Sequence, residues 1–483
     1  MINWDAHRDG VFIDGQWQPA RQGMVATEHP ATGYELALIA RGGGDEIDAA
    51  VKAAQRAYVS NWGQWSALER GRLLTRLSQR IHDHHEALAQ TECADTGKPL
   101  TQARADITAT ARYFEYYGGA ADKLHGEIIP YQRGTTVMVE REPFGVCGLI
   151  VPWNYPAQIF GRTVGGALAA GNSVVLKPAE QACLSILRLV ELADEVGLPA
   201  GVLNVVPGLG AEAGAALAAH PGINHLSFTG SPSAGTAVAQ AAAQHHIPVT
   251  MELGGKSAQV VFADADLDLA AQTAVRAIVQ NAGQTCSAGA RVLVEASAQK
   301  ALVERMATIM TALRCGPGET DPDCGPLISA AQKTRLEGML ERGRAAGMTV
   351  LAQGQVDIEA PVGGHYVAPM LISDVPAEHE VACEELFGPV LTLFSFASDD
   401  EAVALANATD YGLVTGLWTA DAGRALALPK RLHSGQVFVN NYGAGGGVEL
   451  PFGGMKRSGY GREKGFEGMK SFTTLKTITM KHA

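Results

Sequence analysis

"FGVCGLIVPW" (144–153), "AQIFGRTVGGALAAG" (157–171) and "NSVVLKPAE" (172–180) follow one another almost without a gap. The first and third are short apolar runs rich in valine, leucine and isoleucine and read as buried strands; the second reads as a helix. The rhythm continues. "QACLSILRLVELADEVG" (181–197) is a helix, "GVLNVVPG" (201–208) a strand, and "AEAGAALAAHP" (211–221) a helix. "INHLSFTGS" (223–231) is a strand and "PSAGTAVAQAAAQ" (232–244) a helix. Apolar strands alternating with helices predict a parallel sheet covered on both faces. Ligands of such sheets bind outside the carboxyl ends of the strands, where Trp153, Asn154, Lys177, Pro207 and Gly230 fall.

Working outward, a second β/α series starts at "SAQVVFADADLDLAAQTAVRAIVQNAGQ" (257–284) and runs through "ARVLVEAS" (290–297) to "GQVFVNN" (435–441). Upstream, "GVFIDGQWQPA" (10–20) is strand-like, and the region from about Asp45 to Leu124 reads mainly as helices. In "DEIDAAVKAAQRAYVS" an acidic first turn precedes Ile47, Val51, Ala54 and Tyr58 at helical spacing. "YQRGTTVMVERE" (131–142) is β-branched with polar flanks and reads as an exposed ribbon. The final "SFTTLKTITMKHA" (471–483) is similar, and such edges invite strand exchange with a second subunit.

A chain of 483 residues predicts two or three domains, and 46% hydrophobic residues suffice for a large core. The net charge of −12 and the absence of a long basic run argue against nucleic acid as a partner. No stretch of about 18 uninterrupted apolar residues suggests a membrane span, and "MINWDAHRDGVFIDGQW" lacks a signal-peptide pattern. The seven cysteines are odd in number and scattered, with neither metal-binding C-x-x-C pairs nor a disulfide framework. A reduced, cytoplasmic setting without a bound metal is expected.

Four stretches can carry chemistry. "FTGSPSAG" (228–235) puts Gly230 at a strand end and Ser231 and Pro232 at a helix start. That N-terminus offers N–H groups and a positive dipole end to a pyrophosphate. The spacing is not G-x-G-x-x-G, and "GLGAEAG" (208–214) also misses it, so an ordinary strand-to-helix turn is an equal reading. In "LKPAE", Lys177 and Glu180 at a strand end could reach the hydroxyls of an adenosine ribose. A carboxylate there disfavours a 2′-phosphate and points to NAD over NADP; a solvated ion pair is the plain alternative. "MELGGKS" sets Glu252 between apolar residues and glycines, where burial raises a carboxyl pKa as a general base requires. "NAGQTCSAGARV" surrounds Cys286 with small residues. No protease signature accompanies it, and taken alone a cysteine is more often structural than catalytic.

Taken together, "VPWNYP", "LKPAE", "SFTGS", "ELGGKS", "NAGQTCSAGARV", "EELFGPV" and "LPFGGMKRSGYGREKG" resemble the NAD(P)-dependent aldehyde dehydrogenase superfamily, of the hydrolytic, non-acylating type. The resemblance spans nearly the whole chain, with the motifs in the family's order. It implies an α/β fold with a Rossmann-like NAD-binding domain at 1–125 and 144–254 and an α/β catalytic domain at 255–455. A small β oligomerisation flap at 126–143 and 471–483 completes it, pairing subunits as homodimers or homotetramers. It further implies that Cys286 attacks the aldehyde to give a thiohemiacetal and then a thioester. Asn154 and the Cys286 N–H would hold the oxyanion, and Glu252 would activate the hydrolytic water. Trp153, Lys177 and Glu180 map to the adenosine side of NAD, Gly230 and Ser231 to the pyrophosphate, and Glu385 and Phe387 to the nicotinamide ribose and ring.

For the substrate, Tyr155 is an aromatic of the kind common in the family's tunnel. Arg162 stands where many relatives carry tryptophan. It either faces the tunnel, to pair with a remote carboxylate, or forms a salt bridge at the helix surface. Three glycines in "NNYGAGGGVEL" (440–450) leave room for a large or aromatic aldehyde, or form a loop of no specific meaning. The rival functions are an acylating, coenzyme A-dependent dehydrogenase, which the presence of Glu252 disfavours, and a non-catalytic structural or binding member of the family. An esterase side activity using the thiol and Glu252 is a third.

Overall fold

The computed structural model describes residues 10–443 and 447–482. Most of the N-terminal stretch read above, and Gly445 and Gly446 of the glycine run, therefore lie outside the described residues.

Two mostly parallel sheets organise the chain. The first runs in the order Gln16–Pro19, Gly10–Ile13, Leu203–Val205, Ser173–Pro178, Val146–Val151, His225–Thr229, Val249–Glu252, Gly459–Tyr460. Its inner pairs are parallel, and antiparallel strands close both edges. Helices cover both faces, and every residue of Ser173–Pro178 is buried, which explains the unbroken apolar runs in the sequence. The strand-like piece at the N-terminus is a hairpin. Asp14 (φ 55°) and Gly15 (φ 74°) make the tight turn, and the hairpin extends the sheet at one edge.

The helix Pro156–Ala170 is buried at every position except Gln158, because it lies between the first sheet and the helices Ala67–Asp83 and Leu100–Ala120. Ser66 caps Ala67–Asp83, accepting from the Glu69 N–H while the Glu69 carboxylate returns to the Ser66 N–H. The stretch expected as one helix at 211–221 instead starts as a wide turn, Gly210–Gly214, and becomes α-helical only over Ala215–Ala218.

The second sheet has the order Thr349–Gln353, Met370–Ser373, Val390–Phe396, Arg291–Glu295, Ala258–Val261, Val414–Trp418, Gln436–Val439. All its pairs are parallel except the first. The ribbon Thr135–Pro143 pairs antiparallel with the C-terminal strand Thr473–Lys481 along its full length and with Glu127–Ile129 on its other edge. Ile128, Tyr131, Leu475 and Met480 are exposed on or beside this small sheet.

Strand register positions the functional cleft. Ile150 lies opposite both Lys177 and Phe228, and Thr229 lies opposite Glu252. The carboxyl ends of four neighbouring strands therefore share one edge. The second sheet turns its amino ends to the same place: Cys286, Phe387 and Tyr411 each sit just before one of its strands. No helix among the described residues is long and apolar enough to cross a membrane.

Candidate active site

A cavity of about 490 Å³ opens between the two sheets. Cys286, Glu252 and Asn154 line it, as do Tyr155 and Arg162. Trp153, Gly230, Ser231, Glu385 and Phe387 line it as well. Lys177 and Glu180 do not. They form an ion pair, 2.8 Å from Nζ to Oε2, at the carboxyl end of the strand next to the one that delivers Trp153.

The turn carrying Cys286 is unusual. Asn281 (φ 48°, ψ 38°), Ala282 (φ 54°, ψ 33°) and Gly283 (φ 75°) are consecutive left-handed residues. A side chain at Gly283 would begin 2.1 Å from the Gly388 carbonyl oxygen, so only glycine fits. Strain of this kind persists only where neighbours over-determine it. Here the Asn281 N–H donates to Gln102 Oε1 (2.9 Å), and its Nδ2 donates to the Asn154 carbonyl (2.8 Å). Gln284, fully buried, donates to the Asn281 carbonyl (3.1 Å) and accepts from the Ile328 N–H (2.9 Å).

Asn154 is fixed from two sides. Its Nδ2 donates to the Gln284 carbonyl (2.9 Å), leaving the second amide hydrogen for another acceptor. Its own carbonyl accepts from Lys98 Nζ at 3.1 Å. Lys98 is buried and also reaches Asp106 Oδ2 (2.5 Å) and Glu92 Oε1 (3.2 Å). Gln158 donates to the other Asp106 oxygen (2.7 Å) and Ser185 to the other Glu92 oxygen (2.5 Å), so the buried charges are paired and hydrogen-bonded. Tyr155 shares this support: its hydroxyl contacts Thr285 Oγ1 (2.7 Å), and its ring lies 4.5 Å from Lys98 Nζ.

Burial favours the protonated forms of both Cys286 and Glu252. The Cys286 sulfur borders the cavity while protein crowds its other sides. That desolvation pushes the thiol up to about 12, with Arg162 pulling against it and Glu385 and Glu252 adding to it. Glu252 is buried, and neither of its carboxyl oxygens accepts a hydrogen bond among the described residues. Burial, then the neighbouring Glu463, raises its pKa well above the ordinary carboxyl range; Arg162, Arg462 and Lys464 oppose the rise.

Arg162 fits neither sequence expectation fully. It lines the cavity and is 9% exposed, so it is not at a helix surface. Yet its guanidinium is already engaged, with Nε 2.5 Å from Glu463 Oε2 and Nη2 3.3 Å from Thr229 Oγ1. Ser227 Oγ donates to the other Glu463 oxygen at 2.6 Å. A substrate carboxylate would have to compete with a buried internal partner.

On the opposite side, the Trp153 and Phe387 rings meet edge to face at 5.4 Å. Phe387 is itself left-handed (φ 53°) and is held by Gln332 Nε2, which donates to its carbonyl (2.9 Å). Arg335 donates to the carbonyls of Leu386 (3.0 Å) and Glu385 (2.9 Å). Glu385 Oε1 accepts from the Gly255 N–H (3.0 Å), and burial lifts its pKa to about 7. The first turn of the helix Pro232–Ala243, capped by Ser231, completes this wall. An aromatic pair, a helix N-terminus and a buried carboxyl thus line one side of the cleft together.

Lys98, Gln332, Arg335, Glu463 and Lys464 escaped the sequence reading. Only the last two had a signal, the charged "GREKG" (461–465) set among glycines within an already noted motif.

The aldehyde dehydrogenase family profile matches residues 17–478. A crystal structure from Burkholderia cenocepacia shares 59% identity, covers 98% of this chain and 100% of its own, and superposes with a TM-score of 0.97. The NAD+ complex of aldehyde dehydrogenase from Bacillus cereus shares 38% identity over 99% of this chain and 97% of its own, with a TM-score of 0.95. Human retinal dehydrogenase 2 is 38% identical over 98% of this chain and 91% of its own length. With a half-buried cysteine, a buried carboxyl and an anchored asparagine around one cleft, the chain belongs to the aldehyde dehydrogenase family.

Proposed function

We propose that the protein oxidises an aldehyde to a carboxylic acid with NAD, through a thioester on Cys286 that water hydrolyses. The observation that carries this reading is Glu252, a buried carboxyl that lines the same cavity as Cys286 and whose oxygens accept no hydrogen bond among the described residues.

The Cys286 sulfur adds to the aldehyde carbon and the thiol proton ends on the former carbonyl oxygen, forming the thiohemiacetal. The second amide hydrogen of Asn154 and the Cys286 N–H steady the oxygen as it gains charge. Trp153, Phe387 and Glu385, with Gly230 and Ser231, are the residues that would hold the nicotinamide and pyrophosphate portions of NAD; Lys177 and Glu180 would hold the adenosine ribose. Bound NAD supplies the hydride acceptor that makes the thioester accessible. Glu252 then takes a proton from the water that attacks the thioester carbon, and the Cys286 thiolate leaves and is reprotonated. Because burial favours its protonated form, Glu252 must first lose that proton, which Arg162, Arg462 and Lys464 assist. Hydrolysis therefore gains with rising pH.

The test is single-turnover kinetics. Cys286→Ala is expected to form no NADH from any aldehyde. Glu252→Gln is expected to give one burst of NADH followed by slow turnover. Unchanged turnover in Cys286→Ala overturns the reading, and release of a coenzyme A thioester by the native protein replaces hydrolysis with acyl transfer.

The same reading assigns the first sheet and its helices to cofactor binding, the second to catalysis, and the exposed apolar ribbon to self-association as a dimer or tetramer. Seven free cysteines support a reducing, cytoplasmic compartment. For the substrate, the reading extends to an aromatic or ω-carboxylated aldehyde, with Arg162 in the cavity wall but already paired with Glu463.

A further inference from the structure

Cys286 and Ser287 are the two central residues of a turn that the Ala288 N–H closes on the Thr285 carbonyl at 2.9 Å. Gly255 lets its own segment approach this turn closely, since a side chain there would begin 2.4 Å from the Cys286 carbonyl oxygen. Burial disfavours the Cys286 thiolate, whereas the Ser287 N–H, directed at the Cys286 side chain, favours it. The carbonyl of the same Ser287 accepts from the Tyr442 hydroxyl at 2.6 Å.

The fold aims that hydroxyl. Tyr442 does not line the cavity; it packs against Cys286 from outside it. Just before it, at the end of the strand Gln436–Val439, Asn440 takes a left-handed conformation (φ 55°). The Asn440 N–H donates to the Leu417 carbonyl (2.8 Å) and its Nδ2 to the Thr419 carbonyl (2.9 Å), while its Oδ1 accepts from the Thr419 N–H (2.9 Å). The Phe438 and Tyr442 rings meet edge to face at 5.8 Å. Gly416, on the adjoining strand Val414–Trp418, leaves the ring its space, because a Cβ there would stand 3.0 Å from Tyr442 Cδ2. Desolvation raises the phenol above its ordinary range, so the hydroxyl remains a donor.

We propose that Tyr442 is a positioning residue for the nucleophile: by holding the Ser287 carbonyl it keeps the Ser287 N–H on the Cys286 sulfur, which is then ready to attack as its proton leaves. The proposal rests on the thioester chemistry above and adds a residue to it. An N–H facing a developing thiolate is charge-assisted and counts for more than the same contact with a thiol. Without the hydroxyl, the carbonyl of a residue only 3% exposed loses its donor, and the peptide is free to turn. Attack should suffer, while the hydrolysis that Glu252 assists, which the hydroxyl does not touch, should not.

The experiment uses Tyr442→Phe, which removes the donor and keeps the ring. Two rates are read. One is alkylation of Cys286 by iodoacetamide in the protein without substrate, followed at that residue by peptide mass spectrometry. The other is the NADH burst with butanal and saturating NAD. Both should slow about tenfold, as loss of one such hydrogen bond gives. The butanal concentration that half-saturates the burst should not move. Replacing Tyr442 by 4-aminophenylalanine through amber suppression returns an N–H donor to the same ring and should restore both rates. A merely structural role would move half-saturation together with the rate and would not be rescued. Native rates in Tyr442→Phe, or slow rates that 4-aminophenylalanine leaves slow, overturn the proposal. Should Tyr442→Phe not fold, 4-methylphenylalanine at the same position, which fills the hydroxyl's space without a donor, takes its place. A native protein that forms no NADH from any aldehyde overturns the oxidation instead, while the alkylation rates still test Tyr442.

Discussion

Replacing Arg162 by methionine removes the partner of a carboxylate whose side chain is 1% exposed, while Glu463→Gln removes the acid and leaves the cation. With Nε and Oε2 at 2.5 Å, the charge centres lie about 4 Å apart, worth about 4 kcal/mol at an effective dielectric of about 20. Breaking such a buried pair from one side costs about 3–5 kcal/mol, because the remaining charge has no water to return to. Each single variant should therefore lose that much stability in urea unfolding. The double variant strands no charge and should lose little more than either single one, giving a coupling energy of about 2 kcal/mol or more. Activity reads the same pair differently. Arg162 holds the Glu252 pKa down and Glu463 holds it up. With butanal as substrate, the alkaline-rising limb of the rate profile should move to higher pH in Arg162→Met and to lower pH in Glu463→Gln. A purely structural role would give two shifts of one sign or none. Same-sign shifts, or stability losses that simply add, would refute the reasoning.

Two further outcomes follow from the support beneath Asn154. Asn154→Ala should lower kcat by about 10²–10³-fold with a smaller change in KM, the usual cost of one oxyanion donor, measured by steady-state NADH formation. Lys98→Met leaves Glu92 and Asp106 without their shared cation and should cost about 3–5 kcal/mol at neutral pH. The sign with pH is fixed by Asp106, whose carboxyl burial raises to about 6, above its unfolded value of about 3.9. A group raised in this way contributes stability that is present below the unfolded pKa and lost as pH climbs through the folded one. Without Lys98 that loss deepens, so the gap between Lys98→Met and native in urea midpoint should be small near pH 4 and widen above about 6. A gap that is constant with pH would show that the lysine acts by packing alone.

How much of this was legible beforehand depends on whether the relevant distance ran along the chain or across it. The alternating apolar runs from 144 to 244 announced the first sheet, because strands buried on both faces leave no polar alternation to confuse the reading. The rule that ligands gather at strand carboxyl ends pointed to Trp153, Asn154 and Gly230, which line the cavity, and to Lys177 and Pro207, which do not. That rule could not find the other half of the cleft, where Cys286, Phe387 and Tyr411 precede their strands; for those, only motif resemblance helped. Arg162 shows the limit. The sequence singled it out, but its partner lies 301 positions away (463 − 162). No periodicity links a mid-helix arginine to a carboxylate beyond the last strand of the second sheet. Lys98 was silent for the same reason, since a lysine in "TGKPL" (96–100) reads as solvent-facing until Glu92, Asp106 and Asn154 close round it.

The left-handed turn before Cys286 joins these observations. Asn281 and Ala282 gain nothing locally from their conformation, and an asparagine–alanine pair would more readily continue the preceding helix Leu267–Val279. What the turn achieves is to carry the Asn281 amide to the Asn154 carbonyl and the Gln284 carbonyl to the Asn154 amide. Cys286 and Asn154, 132 positions apart (286 − 154), are thereby tied into one unit resting on the buried Lys98 cluster. Burial of the thiol and the carboxyl favours the protonated form of each. In the reaction proposed above, the aldehyde oxygen that gains charge on attack would meet the second amide hydrogen of Asn154 already in place.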